Sequence, residues 1–181
     1  KNLTATFVKK ALPEFSVTFS APIGGGYTVN GTQVSSAYSL TQTEALETTL
    51  IAAPSAGNRF YGWYTLNGST KEYFSYSASV SKSFPSTVTV GADFISESYV
   101  AKVATFAEAN AAMASDAKIV EITSGTTLIV PSGSTLTVPA GKMLSVEGKL
   151  AVAGSFAVNG IVSGNGTLYK VSKIITQGEI I

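Results

Sequence analysis

The chain has 181 residues, only 13% of them charged, and a formal net charge of +1, so it lacks the dense Lys/Arg face that nucleic-acid-binding proteins present. It contains no Cys and no His, which excludes disulfides, thiolate or imidazole zinc sites, and any Ser-His or Cys-His nucleophile pair. Polarity comes instead from 23 Ser and 21 Thr, the composition of exposed β-sheet surface, while 45% hydrophobic residues are enough to offset the ordering entropy of a folded chain.

Reading from the amino terminus, Lys1-Asn2-Leu3 brings neither an initiator Met nor a signal-peptide core. The chain therefore reads as a segment of a longer protein. "LTATFVKK" (Leu3 to Lys10) and "VTVGADFIS" (Val88 to Ser96) share a Thr-rich alternating pattern that ends in Phe7 and Phe94. Residues 1–10 are accordingly expected to be the last strand of a preceding repeat, with chance similarity of two strands as the alternative.

Residues 11–97 carry strand and tight-turn signals. "FSVTFS" (Phe15 to Ser20) alternates apolar and hydroxyl residues with the period of a half-buried strand. In "YTVNGTQV" (Tyr27 to Val34), Asn30-Gly31 sits between two β-favouring triplets and predicts a hairpin through a type I′ turn. "TLIAAP" (Thr49 to Pro54) and "RFYGWYTL" (Arg59 to Leu66) follow as strands. Between them and the hairpin, Thr41 and Glu44 have capping-box spacing, which would start a short helical turn.

Residues 98–117 are a linker and an Ala-rich stretch. Thr105 and Glu108 form a second capping-box pair, and Phe106, Ala109 and Met113 fall on one face, so a helix is expected from Thr105 to Ala117. From 118 to 181 glycine recurs every six to eight residues, at 125, 133, 141, 148, 154 and 160. Between the glycines, Leu128/Val130, Leu136/Val138, Leu144/Val146, Leu150/Val152 and Phe156/Val158 stand two apart and would all face inward. Thr135, Thr137 and Ser145 would then face solvent. Strands this short, joined by Gly or Pro corners, wind so that each pairs in parallel with the strand one coil away. The segment supplies two or three such coils, and the helix, through Phe106 and Met113, would cap the first; an antiparallel meander is the competing topology. The expected fold class is thus mainly β: a small repeat domain plus a Gly-paced parallel β-solenoid with one short capping helix.

The hairpin "YTVNGTQV", the strand "TLIAAPSAGNRFYGWY" and the closing "STVTVGADF" give residues 14–95 an order that resembles divergent internalin B-type B-repeat modules of bacterial surface proteins. The triplet Gly24-Gly25-Gly26 and the aromatic segment "KEYFSYSASVSKSF" depart from that pattern. The resemblance implies a β-grasp-like module, strung in tandem on extracellular chains, without catalysis. The helix followed by "AKIVEITSGTTLIVPSGSTLTVPAG" is similar, more loosely, to the first coils of right-handed parallel β-helices in adhesins and polysaccharide-processing proteins.

In the pattern of the resembled B-repeat modules the Trp after Gly packs inward, which implies that Trp63, the only Trp, lies in the core of the first domain, with Gly62 letting neighbouring backbone approach. Strict alternation would put Phe60 and Tyr64 on one side of their strand, and Tyr61 and Trp63 on the other. Tyr61, Tyr73 and Tyr76 are the candidate ligand-binding residues, as exposed rings on which a carbohydrate could stack. No catalytic residue, cofactor site or metal site is assigned: residues 118–181 contain no Asp and no Arg, and the Glu residues are scattered. The sequon-like Asn residues, mostly in Asn-Gly pairs, read as turns. The functional expectation is a non-catalytic structural or adhesive segment of a bacterial cell-surface or secreted protein. Its partners would be host or cell-wall glycans or proteins, with self-association through the solenoid ends. A carbohydrate-binding module, or the first part of a β-helix polysaccharide-processing enzyme, are the alternatives. No nucleic acid, and no membrane span in this segment, is expected.

Overall fold

A computed structural model describes residues 12–171, so the strand expected over residues 1–10 lies outside the described residues. The chain is mainly β, with one α-helix among the described residues, and it divides between Ile95 and Ser96 into two units. No described helix is long and apolar enough to cross a membrane.

The first unit contains β1 (Phe15–Phe19), β2 (Gly25–Val29), β3 (Thr32–Val34), β4 (Tyr38–Gln42), β5 (Glu47–Pro54), β6 (Asn58–Asn67), β7 (Thr70–Ser75), β8 (Ser79–Ser83) and β9 (Val88–Ser96). They form two sheets, ordered β4-β1-β9-β6-β7 and β3-β2-β5-β8. All described pairings in this unit are antiparallel except β1 with β9, which places the unit's first and last described strands side by side and parallel. One apolar cluster draws on both sheets: Val17, Phe19, Trp63 and Val90 from the first, and Tyr27, Val29, Val34 and Leu50 from the second. The alternating strands supply it because every second side chain points the same way. Between β2 and β3, Asn30 and Gly31 have φ of 50° and 81°, the two positive values a type I′ turn requires. The Asn30 side chain also accepts a hydrogen bond from the Thr49 amide at 2.8 Å, tying the turn to β5.

The Thr41–Glu44 pair does not start a helix. Thr41 lies in β4, opposite Ser16 of β1, because ladder pairing along that whole strand outweighs a single local cap. Glu44 and Glu47 are both exposed.

The second unit opens with a 3₁₀ turn (Glu97–Tyr99), β10 (Val100–Val103) and α1 (Phe106–Ala114). Thr105 caps α1 by accepting from the Glu108 amide at 3.2 Å, and Glu108 accepts in return from the Thr105 and Ala104 amides at 3.0 and 2.8 Å. These backbone donors hold the Glu108 carboxyl below the usual carboxylate range. The helix ends at Ala114, earlier than the sequence pattern predicts, with Ser115 as its C-cap. There Lys142 donates to the carbonyls of Ala112, Ser115 and Ala117, placing a cation at the carboxyl end of the helix.

Then follow β11 (Ile119–Ile122), β12 (Thr127–Val130), β13 (Thr135–Val138), β14 (Met143–Val146), β15 (Lys149–Val152), β16 (Ser155–Val158), β17 (Ile161–Ser163) and β18 (Thr167–Lys170). Every pairing among them joins strands three apart in the chain and is parallel, giving the sheets β10-β11-β14-β17, β12-β15-β18 and β13-β16. The register stacks like on like: Leu128 against Leu150 and then Leu168, and Leu136 against Phe156. Leu128, Val130, Leu136, Val138, Leu144, Val146, Leu150 and Val152 are buried in one cluster, with Met113 of α1 inside it and Phe106 and Phe156 packed against it.

Two expectations need correction. Val158 is 47% exposed, because β16 pairs only with β13 among the described residues and its other side carries no described strand. Ser145 is buried rather than solvent-facing; β14 is flanked by β11 and β17, and the hydroxyl donates to Glu147 at 2.9 Å.

The recurring glycines do two different jobs. Gly125, Gly133 and Gly141 turn corners with φ of 82°, 77° and 78°, and a Cβ on any of them would meet nothing within 4 Å. Gly148, Gly154 and Gly160 instead lie against the corner three strands earlier. A Cβ there would fall 2.2–2.4 Å from two carbonyl oxygens of that corner.

Candidate functional site

The unusual chemistry of the first unit lies on β6, β7 and β9, on side chains outside the cluster around Trp63. Trp63 itself is fully buried, and its indole N–H donates to the Ser77 carbonyl at 3.0 Å. Tyr27 meets its ring edge-on at 5.4 Å and Phe60 tilts against it at 5.4 Å. The pairing of β6 with β7 shifts register between Trp63 and Tyr64, and strict alternation does not hold along β6 either. Phe60 shares the core with Trp63, while Tyr61 and Tyr64 join a second group of rings.

That group contains the three sequence-predicted tyrosines. Tyr73 and Tyr76 stack with centroids 5.8 Å apart, and Tyr61 meets them edge-on at 5.4 and 6.3 Å. Gly62 makes this packing feasible, though through side chains rather than backbone. A Cβ on Gly62 would come within 2.9 Å of the Tyr73 ring and 3.0 Å of Tyr76. The expected set of exposed platforms is thereby corrected: Tyr61 is 9% exposed and Tyr73 and Tyr76 are half-buried, because the rings cover one another.

The polar end of the cluster centres on Asp93 of β9. The Tyr73 hydroxyl donates to Asp93 Oδ2, and Lys71 Nζ lies 3.0 Å from Asp93 Oδ1. The Lys71 ammonium also sits over the Tyr64 ring, 4.6 Å from its centroid. Burial pushes the Tyr73 hydroxyl well above the usual tyrosine range, and its hydrogen bond to the Asp93 carboxylate pushes it further. Tyr61 and Tyr76 are raised as well, chiefly by burial. All three phenols are therefore neutral donors at ordinary pH, unsuited to act as bases. Among the described residues no group of three or more Asp or Glu gathers to hold a metal ion.

Nothing in the sequence assigns Asp93, Lys71 or Tyr64 a site role. One of only two Asp residues in the chain was the available signal, but nothing local in the sequence says that β9 comes to lie beside β6. Beside the pair opens a cleft of about 220 Å³, bounded by Ala21, Ile23, Tyr64, Lys71, Asp93 and Phe94. Comparisons with protein-family models, curated proteins and solved structures find no match for this chain.

Proposed function

We propose that this chain is a non-catalytic structural and adhesive segment of a bacterial cell-surface or secreted protein. The first unit serves as a β-grasp-like module of the B-repeat kind, and the second as a short right-handed parallel β-solenoid capped by α1. The supporting observation is the parallel, in-register pairing of every third strand from β11 to β18. Pairing of that kind adds each coil along one axis, so length grows without a change of cross-section. Such an element is suited to spacing or presenting other domains. The parallel pairing of β1 with β9 and the Asn-Gly hairpin support the module reading of the first unit.

Antibodies raised against residues 12–171 test the assignment. They should label intact cells of the source organism, and labelling only after permeabilisation would overturn the surface location. A second reading, carbohydrate binding by the first unit, is favoured by one observation: the cleft beside the Asp93–Lys71 pair.

A further inference from the structure

We propose that the cleft between Ile23, Phe94 and the Asp93–Lys71 pair is a binding site for a single neutral sugar ring. The inference deepens the adhesive part of the reading above. It places the contact on Asp93 and Lys71 rather than on the faces of Tyr61, Tyr73 and Tyr76.

Charge decides the ligand class first. The ion pair at 3.0 Å gives the cleft a carboxylate acceptor and an ammonium donor with no net charge. An anionic ligand would meet the Asp93 carboxylate at short range, and a cation would meet Lys71. A purely apolar ligand would strip water from both groups without replacing its hydrogen bonds. A neutral ligand with adjacent hydroxyls does replace them. One hydroxyl donates to Asp93, and its neighbour accepts from Lys71, whose ammonium has three donors and one carboxylate partner here.

Shape and order agree with charge. The apolar part of the lining comes from Ala21, Ile23, Ala92 and Phe94, with Ile23 86% exposed at the rim. They match the C–H face of a sugar ring, and about 220 Å³ accommodates one ring rather than a drug-sized ligand. The acceptor is held in place beforehand, because Tyr73 engages the other carboxylate oxygen and is itself wedged between Tyr61, Tyr64 and Tyr76. The Tyr64 hydroxyl reaches its place only because residue 91 is Gly, where a Cβ would overlap it. The stacked tyrosines thus shape and fix the site from behind.

The test is a titration of the ¹⁵N-labelled 181-residue chain with the methyl glycosides of glucose, galactose, mannose and N-acetylglucosamine, followed by amide chemical shifts. At least one should shift the amides of Ile23, Lys71, Asp93 and Phe94 together, with a millimolar dissociation constant. Lys71→Met, which keeps an apolar stem over Tyr64, should weaken that binding by about tenfold or more, the loss expected when a hydrogen bond to a charged group goes. Asp93→Asn should do the same if the unit stays folded, and Lys71→Met carries the test if it does not. The proposal fails if none of the four glycosides shifts these amides, if sodium acetate shifts them and the glycosides do not, or if both variants bind unchanged. Failure here leaves the surface assignment standing, because labelling of intact cells reads location and not sugar binding.

Discussion

Replacing Gly154 by Ala tests whether the second unit is held together by close stacking of its corners. A Cβ at this position would lie 2.2 Å from both the Pro131 and Ser134 carbonyl oxygens. Carbon and oxygen do not normally approach closer than about 3.3 Å. The corner must therefore withdraw by roughly 1 Å, and three hydrogen bonds go with it. These run from the amides of Ala153 and Gly154 to Val130 O, at 3.0 and 3.1 Å, and from Ser155 to Ser134 O at 2.8 Å. At about 1 kcal/mol each, the loss is about 3 kcal/mol. Gly133→Ala is the control, since its Cβ would meet nothing and only the φ of 77° opposes it. That left-handed strain costs about 1–2 kcal/mol. Hydrogen exchange read by mass spectrometry on peptides spanning residues 127–158 separates the two. Protection should fall by roughly a hundredfold for Gly154→Ala and by roughly tenfold for Gly133→Ala, since each 1.4 kcal/mol is a factor of about ten. If Gly154→Ala exchanges no faster than Gly133→Ala, the close-stacking account is wrong.

Three further outcomes follow from the geometry. Trp63→Ala should destabilise the first unit by about 3–5 kcal/mol in urea unfolding, and wild-type emission should be blue-shifted and poorly quenched, because the indole is fully buried. Stability should hold up to about pH 10 and then fall as pH rises. Tyr27 and Tyr73 stay protonated when folded, above the range in which the unfolded chain's tyrosines release their protons, so the unfolded state binds fewer protons there. Urea midpoints by circular dichroism at pH 9 and pH 11 check this, and Tyr73→Phe should flatten the fall. Thr105→Ala removes the acceptor of the Glu108 amide and should cost about 1 kcal/mol, visible as faster exchange across α1.

The sequence by itself determined what depends on neighbouring residues. Asn30-Gly31 fixes a turn because both residues tolerate positive φ, and Thr105 with Glu108 starts a helix because each side chain reaches the other's amide. Leu and Val two apart mark inward faces, and the recurring glycines mark corners. None of this requires knowing which strands become neighbours. Only the tertiary structure decided the rest. Tyr61 and Trp63, which alternation would pair, pack in different ring groups, and β9 brings Asp93 to Tyr73 from 20 residues away. The corner glycines divide into those that need positive φ and those that lie against an earlier corner, although they look alike in the chain. Ser145 and Val158 exchange their expected environments because one strand has neighbours on both sides and the other on one. The physical reason is common to all of these. Which strands become neighbours, and in what register, is set by packing among residues distant in sequence.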